Sequence, residues 1–240
     1  MSGVLSFNNI SPADLEFSQT KVNQMGGQSV YVNTKGSKVR FELPKGRVPF
    51  GLSIQSFDDS ATKISLDQSL GNPDDKNEMS EWQSWLNEFD QHILSVAHNR
   101  SEEWFKKKLS KEILEEFYKP CVSRSKDDKY PPTFKMKIPV RDEKADVCIY
   151  DDKENQVGQE LVEKGCHVRT IVELQGVWFV NKMFGVTWKL LQMQVFPVTK
   201  FNTFAFSRPV DNSSGEQVHD EDDIEGDNEE DDVYDEEPSE

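Results

Sequence analysis

The stretch that decides the fold is GVWFVNKMFGVTWKLLQMQVF, residues 176–196, in which strand-forming and aromatic residues mix with lysines and glutamines. Together with HVRTIVELQ before it, it forms the two longest strand-like runs of the chain. We predict a β-hairpin that turns within residues 181–185. A fully buried strand would hold the rings but not the lysines, so one face of this hairpin is expected to bind a planar, negatively charged ligand.

Shorter strand patterns and one helical pattern precede the hairpin. Residues 28–54 hold SVYVNT, KVRFEL and VPFGLSI, which are β-branched and aromatic runs separated by turn residues. Residues 55–78 are polar and contain GNPDDKNEMS, which predicts a turn followed by the start of a helix. A helical insert is predicted at about 78–118, because apolar residues recur there at three- and four-residue spacings and Pro120 follows. Its apolar face is predicted to comprise Trp82, Trp85, Leu86, Phe89, Ile93 and Val96.

Strand patterns return after the insert. TFKMKIPV alternates apolar residues with Lys135 and Lys137, ADVCIYDD is a shorter run, and FNTFAF is a candidate last strand. The order is strands, helices, then strands, without strand–helix alternation. We therefore predict a mainly β fold with a helical insertion (α+β). An OB-like barrel suits this order, and a β-sandwich is the alternative.

The acidic residues concentrate at the C-terminus. Residues 211–240 hold 16 of the 44 Asp and Glu and none of the 28 Lys and Arg. The remainder therefore carries 28 acidic and 28 basic residues. Such a segment buries too little apolar surface to offset its ordering entropy. We predict a body over residues 1–208 and a disordered acidic tail over 209–240.

Sequence motifs favour a binding protein over an enzyme. The chain contains no Gly-rich phosphate loop, no GxSxG, no HExxH and no paired CxxC, so we expect no catalytic residue, no metal site and no cofactor. Three cysteines do not make a disulfide framework, and no secretory signal or membrane-spanning run is visible. An intracellular protein without a membrane partner is expected.

Basic residues with aromatic residues between them are the main functional signal. Cations neutralise phosphates, and exposed rings stack on unpaired bases, so single-stranded nucleic acid needs both in one groove. Alternation assigns Trp178 and Trp188 to the core and leaves Phe179 and Phe184 accessible, although a slipped register would exchange the two faces. The predicted nucleic-acid-binding residues are Tyr31, Lys38, Arg40, Lys135, Lys137, Phe179, Lys182, Phe184 and Lys189.

The acidic tail provides a second, independent indication. A tethered polyanion mimics nucleic acid and competes for a cationic groove at high effective concentration. Strand binding would then release the tail for protein partners. The predicted tail-interaction residues are Asp222, Asp223, Asp231, Asp232 and Tyr234.

The segment IVELQGVWFVNKMFGVTWKLLQMQV, residues 171–195, resembles the single-stranded-DNA-binding proteins of nucleocytoplasmic large DNA viruses, which are related to a phage type with an OB fold and an acidic tail. The resemblance implies coating of single strands during viral replication, recombination and repair, and a tail that contacts replication proteins. It also implies location in the host nucleus, a cytoplasmic viral factory or the virion, and it is compatible with a homodimer. In phage and bacterial proteins of this kind the tail typically ends in an aromatic residue. This sequence departs from that pattern, because it ends DEEPSE and its nearest ring is Tyr234.

Other functions stay open at this point. RNA is an alternative ligand to single-stranded DNA. A minor virion or structural interaction protein with a solubilising tail would have no affinity for nucleic acid. An acidic chaperone of histone type would lose its function with the tail.

Overall fold

The computed structural model describes residues 3–22, 27–57, 61–71, 76–126, 129–198 and 206. The chain divides into two units, Met1–Thr199 and Lys200–Glu240. All secondary structure described below belongs to the first unit. The candidate strand FNTFAF and the acidic tail lie outside the described residues, except for Phe206.

Long strands in the first and last thirds of this unit enclose a group of helices. The helices are α1 (Lys76–Asn99), α2 (Ser101–Phe105) and α3 (Lys111–Phe117). The strands before them are β1 (Glu16–Phe17), β2 (Lys21–Val22), β3 (Gln28–Thr34), β4 (Ser37–Arg47), β5 (Leu52–Phe57) and β6 (Ala61–Ser69). The strands after them are β7 (Tyr118–Lys119), β8 (Val122–Ser123), β9 (Thr133–Ile138), β10 (Val140–Arg141), β11 (Lys144–Ala145), β12 (Cys148–Tyr150), β13 (His167–Val180) and β14 (Met183–Phe196).

One sheet of 12 strands organises the unit. Its main path runs β1-β3-β4-β13-β14-β9-β6-β5, and β2, β7, β8 and β12 attach to its sides. The β13–β14 hairpin lies at its centre. Both β4 and β3 pair antiparallel with β13, along its first and second halves respectively. On the other side, β14 pairs in parallel with β7, β9 and β12.

The helical insert covers the inner face of this sheet with aromatic side chains. Trp82, Trp85 and Phe89 of α1 are buried, as their helical spacing predicts. Their rings meet Phe41 of β4 and Trp188 of β14 at centroid distances between 5.1 and 6.3 Å. Such edge-to-face contacts add roughly 0.5–1.5 kcal/mol each to area burial. This cluster fixes which face of the sheet is left for solvent.

The predicted fold class, mainly β with a helical insertion, is confirmed. The insert spans 76–117 instead of about 78–118, and β13 has the bounds that its sequence pattern predicts. Strand β6 lies within residues 55–78, where the polar sequence indicates a turn and a helix start but shows no strand pattern. Its apolar residues Ile64 and Leu66 alternate with polar neighbours and are buried, but the polar residues outnumber them and hide the pattern. Among the described residues, no helix is long and apolar enough to cross a membrane.

Candidate nucleic-acid interface

A row of charged residues crosses four adjacent strands on the outer face of the sheet. Arg40 of β4 is the register partner of Glu173 of β13, and Glu173 is also the partner of Lys189 of β14. Lys189 in turn is the partner of Lys137 of β9. Register partners place their side chains on the same face, so three cations and one carboxylate line up across the sheet. Lys38 and Lys135 lie two residues before Arg40 and Lys137 on the same strands, and therefore on the same face of the sheet.

We call Lys38, Arg40, Lys135, Lys137 and Lys189 the cationic band. The other face of the same strands is core: Val39, Phe41, Val172, Leu174, Trp188, Leu190, Phe134 and Met136 are all buried.

Glu173 is the acidic exception in this row. Its carboxylate accepts hydrogen bonds from Lys38 Nζ at 2.8 Å and from Arg40 Nε at 2.9 Å, and its side chain is only 4% exposed. Burial raises the pKa of Glu173, but the hydrogen bonds and charges of the two cations outweigh it, so the pKa lies below its usual value. The carboxylate therefore stays ionised at neutral pH and holds both cations at the surface of the sheet.

The two cations of β9 have different surroundings. Lys135 Nζ lies 3.5 Å from a carboxylate oxygen of Asp67, and its side chain is 53% exposed. Lys137 has no such acidic partner among the described residues. Partial burial, and then the charge of Lys63, lowers the pKa of Lys137. An anion that approached this face would relieve the repulsion at Lys137 and would compete with Asp67 at Lys135.

A β-bulge in β13 changes which residues share the face with the band. Leu174 pairs with Trp188 and Gly176 pairs with Thr187, so Gln175 is an extra residue. The alternation beyond it is inverted. Gly176 has φ +149°, and a Cβ on it would lie 2.2 Å from the carbonyl oxygen of Val30. Glycine is therefore required for this close approach of two strands.

The bulge brings Trp178 to the outer face. Its register partner is Gly185, and a Cβ on Gly185 would lie 2.8 Å from the Trp178 ring. The indole therefore lies over a position without a side chain and is half-buried. Tyr31 of β3 lies on the same face as the register partner of Gly176, is 48% exposed, and has Lys21 Nζ 5.1 Å from its ring centroid. Two rings thus accompany the cationic band.

A cavity of about 400 Å³ opens next to Trp178. It lies where β14 runs between its pairings with β7, at residues 184–185, and with β9, at Lys189. Its lining combines Trp178 and Trp188 with Lys119, Lys135 and Lys137, together with Pro120, Cys121, Ser123, Val180, Val186 and Thr187. An aromatic ring with three cations around it suits a base and its flanking phosphates.

The wall of this cavity is held by a buried carboxylate of α1. Asp90 accepts a hydrogen bond from Tyr118 Oη at 2.6 Å and one from the Cys121 backbone N at 3.0 Å. Burial raises the pKa of Asp90, and these hydrogen bonds offset part of that rise. Trp188 Nε1 donates to Cys121 Sγ at 3.4 Å. The segment after α3 is therefore tied to both the insert and the sheet.

A family model described as a family of unknown function, DUF5871, matches residues 77–207, which is more than half of the chain. The chain belongs to the DUF5871 family. The matched range contains β9, β13 and β14, and thus the cavity next to Trp178.

Three proteins similar to this DUF5871 chain come from viruses. An uncharacterized protein of Acanthamoeba polyphaga mimivirus is 27% identical over 177 residues, which make up 70% of this chain and 28% of that protein. The chain thus matches less than a third of the length of this relative. Among solved structures, the single-stranded DNA-binding protein of bacteriophage Enc34 in complex with ssDNA has a TM-score of 0.42 and 11% identity, over 79% of this chain and 99% of that chain. Gp2.5, a single-stranded DNA-binding protein encoded by bacteriophage T7, has a TM-score of 0.47 and 13% identity, over 70% and 92% of the two chains.

The structure of this DUF5871 protein brings most of the predicted interface residues together. The outer face of one sheet holds Tyr31, Lys38, Arg40, Lys135, Lys137 and Lys189. Lys182 lies at the exposed tip of the β13–β14 hairpin, in the turn. The residues that the sequence reasoning missed are Glu173, Lys119 and Trp178.

Two predicted stacking residues lie on the wrong face. Phe184 is fully buried and Phe179 is half-buried, and their rings pack against Trp104 and Phe105 of α2. The prediction that these two rings lie on the accessible outer face is wrong, as is the assignment of Trp178 to the core. For Phe179 and Trp178 the cause is the bulge at Gln175. The sequence predicts Phe184 within the turn, but the turn is only residues 181–182, so Phe184 follows the alternation of β14.

The predicted tail residues Asp222, Asp223, Asp231, Asp232 and Tyr234 lie outside the described residues. Within the described part of the chain, no group of three or more His, Cys, Asp or Glu side chains lies close enough to hold a metal ion.

Proposed function

We propose that the outer face of the sheet binds single-stranded DNA with little sequence preference. The observation that carries the proposal is the juxtaposition of two lysines of the cationic band, Lys135 and Lys137, with the half-buried ring of Trp178 in one cavity. Cations alone suit any nucleic acid, because phosphates are common to all of them. A ring next to them is useful only where bases are unpaired, so the combination favours a single strand over a duplex.

The biological role that we propose is protection of single strands during viral DNA replication, recombination and repair. It rests on the sequence resemblance together with this face, and it needs no catalytic residue. The acidic tail is proposed to compete with DNA for the cationic band and to contact replication proteins once DNA has displaced it. A net charge of −16 for the whole chain makes such a competition strongly dependent on salt.

Fluorescence anisotropy tests the proposal directly. A labelled oligo-dT of about 16 nucleotides, the upper end of the usual site size, is titrated with the full chain and with a 1–210 truncation at roughly 50 mM and 200 mM salt. We expect both proteins to bind, and the truncated protein to bind more tightly, most of all at low salt. Absence of binding by both at the lower salt would refute the proposal and favour a structural component of the virion.

Two further arms separate the rival functions. An oligo-U of equal length, compared with an oligo-dU that differs from it only in the sugar, measures the preference for DNA over RNA, to which contacts with the 2′-hydroxyl would contribute. A duplex of equal length is expected to bind more weakly, because its bases are not available to Trp178. Equal affinity for duplex and single strand would show that the ring takes no part. Weaker binding after tail deletion would contradict the competition and favour a chaperone of basic proteins.

A further inference from the structure

A second cavity, of about 310 Å³, opens on the same face of the sheet near the far end of β14. That volume lies at the small end of the range for pockets that take small organic ligands. Its lining differs in chemistry from the cavity next to Trp178, because it contains no lysine. It is formed by Glu42, Tyr150, Glu154, Arg169, Thr170, Ile171, Gln192, Met193 and Gln194.

A second bulge places the glutamines in this cavity. Val172 pairs with Leu190 and Ile171 pairs with Gln192, so Leu191 is the extra residue on β14. Without it, strict alternation would put Gln192 on the face opposite to Lys189. With it, Gln192 and Gln194 share the face of the cationic band, next to Tyr150 of β12, the register partner of Gln194.

The hydrogen-bonding groups in this cavity are only partly used. Gln194 Nε2 donates to the backbone O of Asp151 at 3.1 Å, which fixes that amide. Arg169 is ion-paired with Glu42 on the rim. The amide of Gln192, by contrast, makes no hydrogen bond to any described residue. A half-buried amide that faces a polar cavity offers one donor and one acceptor side by side.

We propose that this cavity binds an adenine base of the same single strand, with the amide of Gln192 as its hydrogen-bonding partner. This inference rests on the proposed function. A glutamine amide matches the N6 donor and N7 acceptor of adenine. Glu42 is already paired with Arg169, but the carboxylate of Glu154 on the rim favours a base with an exocyclic amino group and disfavours thymine, whose edge carries carbonyl oxygens. The ring of Tyr150 supplies a surface for stacking.

The position of the cavity supports a base within a strand. Thr187 lines the first cavity and Gln192 lines the second, and they are five positions apart on one strand, at most about 17 Å. Lys189 lies between them on the same face, with Arg40 and Lys137 in its row. A single strand along β14 would thus have phosphates at the band and bases at both ends.

The test compares two labelled oligonucleotides of about 16 nucleotides, oligo-dT and the same strand with its four central residues replaced by dA. We expect the wild-type protein to bind the dA-containing strand at least about fivefold more tightly. Gln192→Leu removes the amide at similar volume and is expected to abolish this preference while it leaves the affinity for oligo-dT unchanged. Gln55→Leu is the matched control, since Gln55 is an exposed glutamine on an outer strand of the sheet.

The outcomes separate this inference from the proposed function. If the wild-type protein binds both strands equally, or if Gln192→Leu keeps the preference, the adenine site is refuted and the proposed function stands. If neither strand binds at low salt, the proposed function fails as well. A preference lost in both glutamine variants would show that the substitutions act on the sheet as a whole, and it would also overturn the assignment to Gln192.

The same adenine ring could come from a free nucleotide. Adenosine monophosphate is therefore added to the preformed complex with the dA-containing strand. We expect no displacement at concentrations up to about 1 mM, because a mononucleotide makes no contact with the cationic band. Loss of the dA preference at lower concentrations would show that the cavity takes a free nucleotide and would refute the strand assignment.

Discussion

The double substitution Lys135→Gln/Lys137→Gln tests the cationic band most sharply. Both side chains line the cavity next to Trp178, and both are register-linked to neighbouring strands of the same face. Each phosphate contact on a single strand contributes about 0.7 to the slope of log affinity against log salt concentration. Loss of two full contacts should therefore flatten that slope by about 1.4.

The structure narrows the expected change in this salt slope. Lys135 already pairs with Asp67, whereas Lys137 has no acidic partner among the described residues, so Lys135 should contribute less than a full contact. We take the total as between one and two contacts. If the salt lines of variant and wild type meet near 1 M, the double variant should bind about 8-fold to 65-fold more weakly at roughly 50 mM salt. The single variant Lys137→Gln should account for the larger part of this loss of affinity.

Folding should be preserved in this variant. The pair that Lys135 makes with Asp67 is half-exposed, and such pairs contribute about 0–1 kcal/mol. Removal of the Lys137 charge relieves its repulsion with Lys63. Lys107→Gln/Lys108→Gln is the matched control, because it removes the same charge from exposed positions between α2 and α3. Anisotropy titrations of both variants across salt, with thermal melts, provide the measurement. Equal losses in the two double variants would refute the band as a specific interface.

Three further substitutions test the rest of the face. Glu173→Gln should tighten DNA binding about threefold at low salt, because removal of a unit negative charge gains about 0.6 kcal/mol in water if a phosphate binds about 7 Å away. Weaker binding would contradict the layout of the row. Trp178→Ala should cost about 1–3 kcal/mol of binding in the same titration. It should lower the melting temperature less than Trp188→Ala, which should cost about 3–5 kcal/mol of folding free energy, and a reversed order would place Trp178 in the core. Gly176→Ala should lower the free energy of unfolding by about 2 kcal/mol in urea titration, owing to the clash with Val30, whereas an unchanged midpoint would contradict the strand approach.

Regular elements with strong periodicity are predictable from this sequence. The rings of α1 recur at helical spacing, and their burial follows because a helix with one apolar face must bury it. Strand β13 ends where its turn residues begin. Strand β6 shows the limit of this reasoning. Its buried apolar residues, Ile64 and Leu66, are two of nine. Gln68, which is also buried, is polar and donates to the carbonyl of Pro44 at 2.8 Å.

The charges of the interface are equally readable, but their pairing is not. Lys38 and Arg40 alternate with apolar residues on β4, which is enough to place them on one face. Glu173 lies more than 130 residues away in the chain, and only the sheet register brings its carboxylate between them. The outer face is therefore less positive than a count of its lysines and arginines suggests.

Sequence periodicity does not reveal the two bulges of the β13–β14 hairpin, and these bulges decide the chemistry of the outer face. An extra residue moves every side chain beyond it to the opposite face of the sheet. Gln175 therefore puts Trp178 on the outer face in place of Phe179, and Leu191 puts Gln192 and Gln194 on the same face as Lys189. Gly176 is a recognisable signal for the first bulge, because glycine inside a strand often marks one. The second has only the adjacent pair of leucines at 190 and 191. With strict alternation in both strands, Phe179 would replace Trp178 on this face, and Gln192 and Gln194 would lie on the opposite face. Both proposed base contacts thus depend on irregularities in the central hairpin, whereas the proposed phosphate contacts lie on regular parts of β4, β9 and β14.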